Sequence, residues 1–261
     1  MSTFNIFDPN ILSLLEANKD SDKAFIYIAN TDKYNHGIST FWECLSIKEQ
    51  EQAVRYYTKL LSEQFIISHG LLRHILSYHI KQPPKNLQFT INRYGKPFLS
   101  NSRVKFNMSH SHNIVAYIIA HNYEVGIDVE YKDTTLNIME LFDLILSPKE
   151  TILLKSVEPA AQHTIFFNLW TKKEALIKAI GNGLSYPVNT IDALPITVDN
   201  KISLSNGCNC REQELYAYTL ELLPDYSIAI ASDSQINQII YLEGCTQLGI
   251  FNSAMVKYLH K

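Results

Sequence analysis

Three short stretches carry residue types that could do chemistry together. In Gly126-Ile127-Asp128-Val129-Glu130, a period of two puts Ile127 and Val129 on one face and Asp128 and Glu130 on the other. The two acidic Cα atoms would lie roughly 6.6 to 6.8 Å apart, close enough for both carboxylates to reach one cation. Like charges on one face repel unless solvent or a cation relieves them, and taken alone the pair reads more simply as a strand with one wet face. Further on, Glu174 and Lys178 are four apart and share a helix face, with the acid nearer the N-terminus. An isolated pair of this kind contributes only about 0.3 to 0.5 kcal/mol and on its own signals a surface ion pair. The third stretch, Phe106-Asn107-Met108-Ser109-His110-Ser111, reads as a polar turn between apolar strands. There Ser109 and His110 could offer a hydroxyl and an imidazole to phosphate oxygens.

The surrounding pattern supplies elements to position these groups. Alternation over Lys23 to Ala29 predicts a first strand. From Ser46 to Ile80, apolar residues at helical spacing (Phe65, Leu72, Ile75, Leu76, Ile80) predict one long helix or two short ones, stopped by Pro83 and Pro84. Strands are expected at Leu87 to Ile91, Arg103 to Met108, Ile114 to Ala120, Val125 to Glu130, Leu215 to Leu222 and Ser227 to Ala231. Helical patterns occupy Leu136 to Leu146, Pro148 to Lys155 and Ala160 to Ile180. The last carries a core stripe of Phe166, Leu169, Trp170, Ile177 and Ile180, with Gly181 placed for a left-handed cap. Strands and helices in both halves imply an α+β fold, with a boundary near His121 to Glu124 dividing residues 1–122 from 123–261.

Composition narrows the function classes. The 261 residues are 46% hydrophobic and 19% charged, as in a folded globular protein. With 23 basic against 26 acidic residues, the net charge of -3 supplies no global field for nucleic acid or an anionic membrane, so an anionic ligand needs a local site. Cys44, Cys208, Cys210 and Cys245 match neither a disulfide framework nor a zinc site and are expected to be reduced. No HExxH spacing and no P-loop occurs. The N-terminal stretch lacks the pattern of a signal peptide, and the longest apolar run is too short to span a bilayer, so a cytoplasmic protein is expected.

Taken in order, NxSHS, a strand ending G-I-D-V-E, and W-x-x-K-E-A-x-x-K-x-x-G-x-G-L resemble the 4′-phosphopantetheinyl transferases of the surfactin-synthetase-activating type. Leu71-Leu72-Arg73, Tyr94-Gly95-Lys96-Pro97 and Ser147-Pro148-Lys149-Glu150 also fit, so the resemblance runs from about Lys23 to at least Pro187. It implies a pseudo-dimer of two similar α+β halves with the active site in the cleft between them. It also implies Mg²⁺-dependent transfer of phosphopantetheine from coenzyme A to a serine of an apo acyl or peptidyl carrier protein, releasing adenosine 3′,5′-bisphosphate. A monomer is expected, with neither nucleic acid nor membrane as partner.

Position by position, the resemblance implies Asp128, Glu130 and Glu174 as metal ligands, with the second half carrying the metal site. Glu174 would also be the base for the serine hydroxyl, and Lys178 would face the phosphates. Ser109 and His110 would bind the phosphate portion of coenzyme A, and Lys96 its adenosine or 3′-phosphate end. Lys173 is a secondary candidate for phosphate contact, and Glu150 for a supporting or proton-handling role. One departure stands out: Glu49 and Gln52 occupy positions where some family members carry lysines for the 3′-phosphate, leaving Lys48, Arg55 or Lys59 as substitutes. The competing readings are a non-catalytic coenzyme A or carrier-protein binding module and a Mg²⁺-dependent phosphohydrolase.

Overall fold

The computed structural model describes residues 9–17, 23–100, 102–181, 186–194, 200–205, 212–244 and 251–258. The helices are α1 (Pro9–Ala17), α2 (Ile38–Cys44), α3 (Ile47–Ala53), α4 (Lys59–Ile80), α5 (Phe142–Ile145), α6 (Pro148–Ser156) and α7 (Pro159–Ile180). The strands are β1 (Lys23–Asn30), β2 (Phe89–Ile91), β3 (Pro97–Leu99), β4 (Val104–Ser111), β5 (Ile114–His121), β6 (Val125–Tyr131), β7 (Lys201–Ser205), β8 (Glu212–Leu220), β9 (Tyr226–Ser232), β10 (Gln238–Gly244) and β11 (Phe251–Tyr258). This is an α+β protein. One sheet runs β11-β10-β1-β5-β4, the second runs β6-β9-β8-β7, and β2 and β3 form a separate hairpin.

Alternation along the strands decides the layering. On β1, Phe25, Tyr27 and Ala29 pack with Leu71, Leu72 and Ile75 of α4. The intervening Ala24, Ile26 and Ile28 face the other way and join Val125, Ile127 and Val129 of β6 and Ile228 and Ile230 of β9. Ala229 and Ala231 of β9 instead meet Phe166, Leu169 and Leu176 of α7. The two sheets therefore lie against each other between two 22-residue helices, α4 and α7. β5 is apolar along its length because both its faces are covered.

Several expectations are corrected. The stretch from Ser46 to Ile80 breaks after Ala53 and restarts behind Thr58, whose hydroxyl accepts from Leu61 N at 3.2 Å. Leu136 to Leu146 forms only a 3-10 turn and the single turn α5. Residues 109–111 continue strand β4 instead of turning, and the reversal falls at His112, which takes a positive φ of 52°. Beyond Ser232, β10 pairs in parallel with β1, so the boundary expected at 122/123 does not separate the sheets. α1, α2, β7 and β11 also lay outside the expected pattern. Cys44 is a buried free thiol, whereas Cys208, Cys210 and Cys245 lie outside the described residues, as do Gly183 and Leu184 of the third motif. Among the described residues, no helix is long and apolar enough to cross a membrane.

Two local arrangements fix the frame of the site. Arg73, 1% exposed, binds the Glu49 carboxylate at 2.5 Å and donates to the carbonyls of Pro84 and Leu87. Glu49 also closes a capping box with Ser46 at the start of α3. In the other half, a Cβ at Gly126 would lie 2.0 Å from Ala175 O and 2.5 Å from Ala179 N. Only glycine lets β6 approach the α7 backbone this closely.

Two outcomes follow. Gly126→Ala should cost about 3 kcal/mol, the upper end for overpacking, because the obstacle is backbone and cannot rotate away. An unchanged urea midpoint would show that the close approach is not required. Burial opposes ionisation of Glu49, yet His69, Arg73 and Ser46 together lower its pKa to about 2. An acid depressed in the folded state contributes stability above its unfolded value, and that contribution is lost as pH falls from about 4.5 toward 2. Urea midpoints across this window should fall for the parent protein and fall less for Glu49→Gln; parallel curves would refute the assignment.

Candidate functional site

The site lies where two sheet edges meet. β4 ends one sheet and β6 ends the other, and between them side chains of β4 take the place of a backbone ladder. Ile127 N donates to Asn107 Oδ1 at 3.0 Å, and Tyr131 N donates to Ser111 Oγ at 3.1 Å. Ser111 in turn donates to Glu130 at 2.9 Å, and Ser109 Oγ donates to Asp128 Oδ1 at 2.8 Å. Asn107, Ser109 and Ser111 share one face of β4 because their spacing is two. This polar seam satisfies edge donors of β6 that would otherwise be open to another strand.

α7 closes the site from the other side. With Ile127 and Val129 committed to the inter-sheet core, Gly126, Asp128 and Glu130 face α7. Lys178 Nζ reaches Asp128 Oδ1 at 2.6 Å and Ser109 Oγ at 2.8 Å. Asp128 is 3% exposed, and its second oxygen, Oδ2, is buried without a hydrogen-bond partner. Burial raises the pKa of Asp128 against the lowering effect of Lys178 and Ser109. Burial and then the charge of Asp128 push Glu130 up to about 7. Glu174 is raised by burial and then by Asp128, which places all three acids in one electrostatic neighbourhood. Three carboxylates thus share one ammonium.

That excess of anionic capacity, with an orphaned buried oxygen, is what a divalent cation would relieve. Among the described residues, no three acidic, histidine or cysteine side chains form a ready-made cage. Mg²⁺ does not require one, since it commonly takes one or two carboxylates and completes its shell with water and substrate phosphate. The residues present fit such an ion.

Other expected residues are placed differently. Lys173 and Glu150 are both fully buried and pair at 2.5 Å. Glu150 also caps α6 through Ser147 and accepts from Ala193 N, while Lys173 donates to Ile145 O. Neither is available to a phosphate or a travelling proton; they tie α6 and the 186–194 segment to α7. Lys96 spends its three donors on Glu124, Val125 O and Ala179 O at 2.9 to 3.2 Å. With Asn92, which donates to Gly181 O, it latches the β2–β3 hairpin onto the end of α7 and is not free for adenosine. Ser109 is occupied with Asp128 and Lys178, so it positions those groups. His110, the next residue of β4, is exposed and points the opposite way.

Asn107, Ser111 and Gly126 escaped the sequence reading as functional positions. Only with residues 109–111 read as strand instead of turn does a period of two from Ser109 mark Asn107 and Ser111. The need for glycine at 126 is legible only once α7 lies against β6.

Residues 124–231 match the family model described as the 4′-phosphopantetheinyl transferase superfamily, and residues 33–122 match that of the 4′-phosphopantetheinyl transferase N-terminal region. The 4′-phosphopantetheinyl transferase HetI of Nostoc is 31% identical over 78% of this chain and 84% of that protein. The 4′-phosphopantetheinyl transferase gsp of Aneurinibacillus migulanus is 38% identical over 55% of this chain and 59% of that protein. Sfp of Bacillus subtilis is 28% identical over 74% of this chain and 84% of that protein. With relatives of this similarity on both sides of the seam, the chain belongs to the 4′-phosphopantetheinyl transferase family.

Proposed function

We propose that this protein transfers the 4′-phosphopantetheine arm of coenzyme A to a serine of an apo acyl or peptidyl carrier protein, in a Mg²⁺-dependent reaction that releases adenosine 3′,5′-bisphosphate. The observation that carries this reading is the buried, unpartnered Oδ2 of Asp128 beside Glu130, Glu174 and Lys178. Asp128, Glu130 and Glu174 would hold the magnesium ion together with the pyrophosphate of coenzyme A. When bound, the ion supplies charge neutralisation at the pyrophosphate oxygens.

The chain's own residues account for the rest. Glu174 takes the proton of the incoming serine hydroxyl, directly or through water. Its pKa, raised by burial and by Asp128, moves it toward the range in which a carboxylate works as a base near neutrality. Lys178 faces the leaving phosphate and counters the charge that develops as the pyrophosphate bond breaks. Ser109 keeps Asp128 and Lys178 in register, and His110 offers its imidazole to the phosphate portion of the donor.

The direct test is incubation with coenzyme A, Mg²⁺ and a panel of apo carrier proteins, followed by intact-mass measurement of one added phosphopantetheine. Glu174→Gln should retain coenzyme A binding and lower transfer by about 10² or more. Asp128→Ala should raise the Mg²⁺ concentration needed for half-maximal rate, and a near-normal rate at low Mg²⁺ would refute its role. Lys178→Ala should slow transfer while leaving the Mg²⁺ requirement mostly unchanged. An unaltered rate would return that residue to a structural ion pair.

A further inference from the structure

We infer that the turn joining β4 to β5, His112 with Asn113, is a clasp across the two sheets that holds Ser111 against Glu130, which makes His112 and Tyr131 positioning residues for that carboxylate. The clasp's consequence for the reaction rests on the transferase reading; its geometry does not.

No backbone ladder fixes the register of β4 against β6, so the seam between them depends on side chains. Along it Asn107, Ser109 and Ser111 meet Ile127, Asp128 and Glu130 in turn. Asp128 is held by Lys178 as well as by Ser109. Glu130 has less support: among the described residues, Ser111 Oγ, at 2.9 Å, is the only hydrogen-bond donor to its carboxylate. Ser111 is also the last residue of β4, so whatever fixes the turn beyond it fixes Glu130.

Ser111 pairs with Ile114 across the hairpin, which leaves His112 and Asn113 as the whole of the loop. Both reach the opposite sheet. The His112 ring stands edge-on to Tyr131 of β6, with centroids 4.7 Å apart, and Tyr131 meets Tyr226 of β9 in the same manner at 5.4 Å. Tyr226 Oη donates to Asn113 Oδ1 at 3.3 Å and closes the circuit. On its own side the loop is tied down through Asn113 as well. Thr31 N donates to the Asn113 carbonyl at 2.8 Å, and the Asn113 carboxamide donates to Asp32 Oδ2 at 2.7 Å. The clasp is thus anchored beside β1 and grips β6 one residue past Glu130.

The backbone of His112 is strained in this place. Its φ of 52° lies in the left-handed region, which glycine takes freely and asparagine readily. A side chain kept there by contacts on both sides is the pattern of strain retained at a functional position. Glycine at 112 would relieve the backbone but would lack the ring. That ring braces Tyr131, whose own N–H donates to Ser111 Oγ at 3.1 Å.

The test removes the ring while easing the backbone. His112→Gly should keep a thermal midpoint close to the parent's, because relief of the left-handed strain offsets the lost ring contact. In the protein without Mg²⁺ or coenzyme A, Tyr131 N should nevertheless lose protection from hydrogen exchange. Ile127 N, bonded to Asn107 at the far end of the seam, should keep its own. With coenzyme A and an apo carrier protein, the Mg²⁺ concentration for half-maximal rate should rise about tenfold, the lower end for groups that orient metal ligands, with kcat at saturating Mg²⁺ within about twofold of the parent's. His112→Asn, which tolerates the same backbone without an imidazole, should match His112→Gly. Tyr131→Leu should give the same shift in Mg²⁺ requirement, and the double variant no more than either single change. Unchanged exchange at Tyr131 N, or an unchanged Mg²⁺ requirement, overturns the inference. So does an equal loss of rate at every Mg²⁺ concentration together with a lowered thermal midpoint, the signature of a turn that only supports the fold. A parent protein that modifies no carrier sinks the transferase reading instead, and the exchange measurement still decides whether the clasp exists.

Discussion

A single carboxylate oxygen, Oδ1 of Asp128, accepts from a serine on one sheet edge and from a lysine on the helix beneath the other. Asp128 belongs to β6, Ser109 to β4 and Lys178 to α7, so this one atom joins three elements from both sides of the molecule. Buried carboxylates are costly unless they are paired, and this one is paired through only half of its capacity. The fold thus holds an anion in place and leaves part of its field uncompensated. That is the condition under which a cation and a phosphate chain bind together.

Much of the structure makes that meeting possible. β6 can lie directly on α7 because position 126 has no side chain, and the contact brings Asp128 over Lys178 and Glu174. β4 replaces a backbone ladder with Asn107, Ser109 and Ser111, which satisfy the β6 edge while leaving room for charged groups. Two buried ion pairs away from the centre, Glu49 with Arg73 and Glu150 with Lys173, tie α3 and α6 to the long helices. Truncating one partner in either pair would strand a charge in the interior. Their value to the reaction is therefore geometric.

The corrected assignments share a cause. Lys96, Lys173 and Glu150 all carry charges that sequence alone offers to a ligand, and all three are consumed by contacts within the protein. A charged residue near a motif is ambiguous until its neighbours are known, because a buried partner and a bound phosphate favour the same side chain. Ser109 and His110 illustrate the same limit within one strand. They are adjacent in sequence, yet Ser109 is buried in the seam and His110 is exposed.

What the sequence by itself determined is local. Alternation marked β1, short continuous apolar runs marked β5 and β6, helical spacing and Gly181 marked α7 and its cap, and the spacing of Asp128 with Glu130 and of Glu174 with Lys178 put each pair on one face. These features depend on the backbone period, which is written in neighbouring residues. Tertiary structure decided which faces meet: the return of β10 beside β1, the seam between β4 and β6, and the commitment of Lys96, Lys173 and Glu150 to internal partners. Such contacts join residues tens of positions apart, and their geometry follows from how whole layers pack, which no short window of sequence contains.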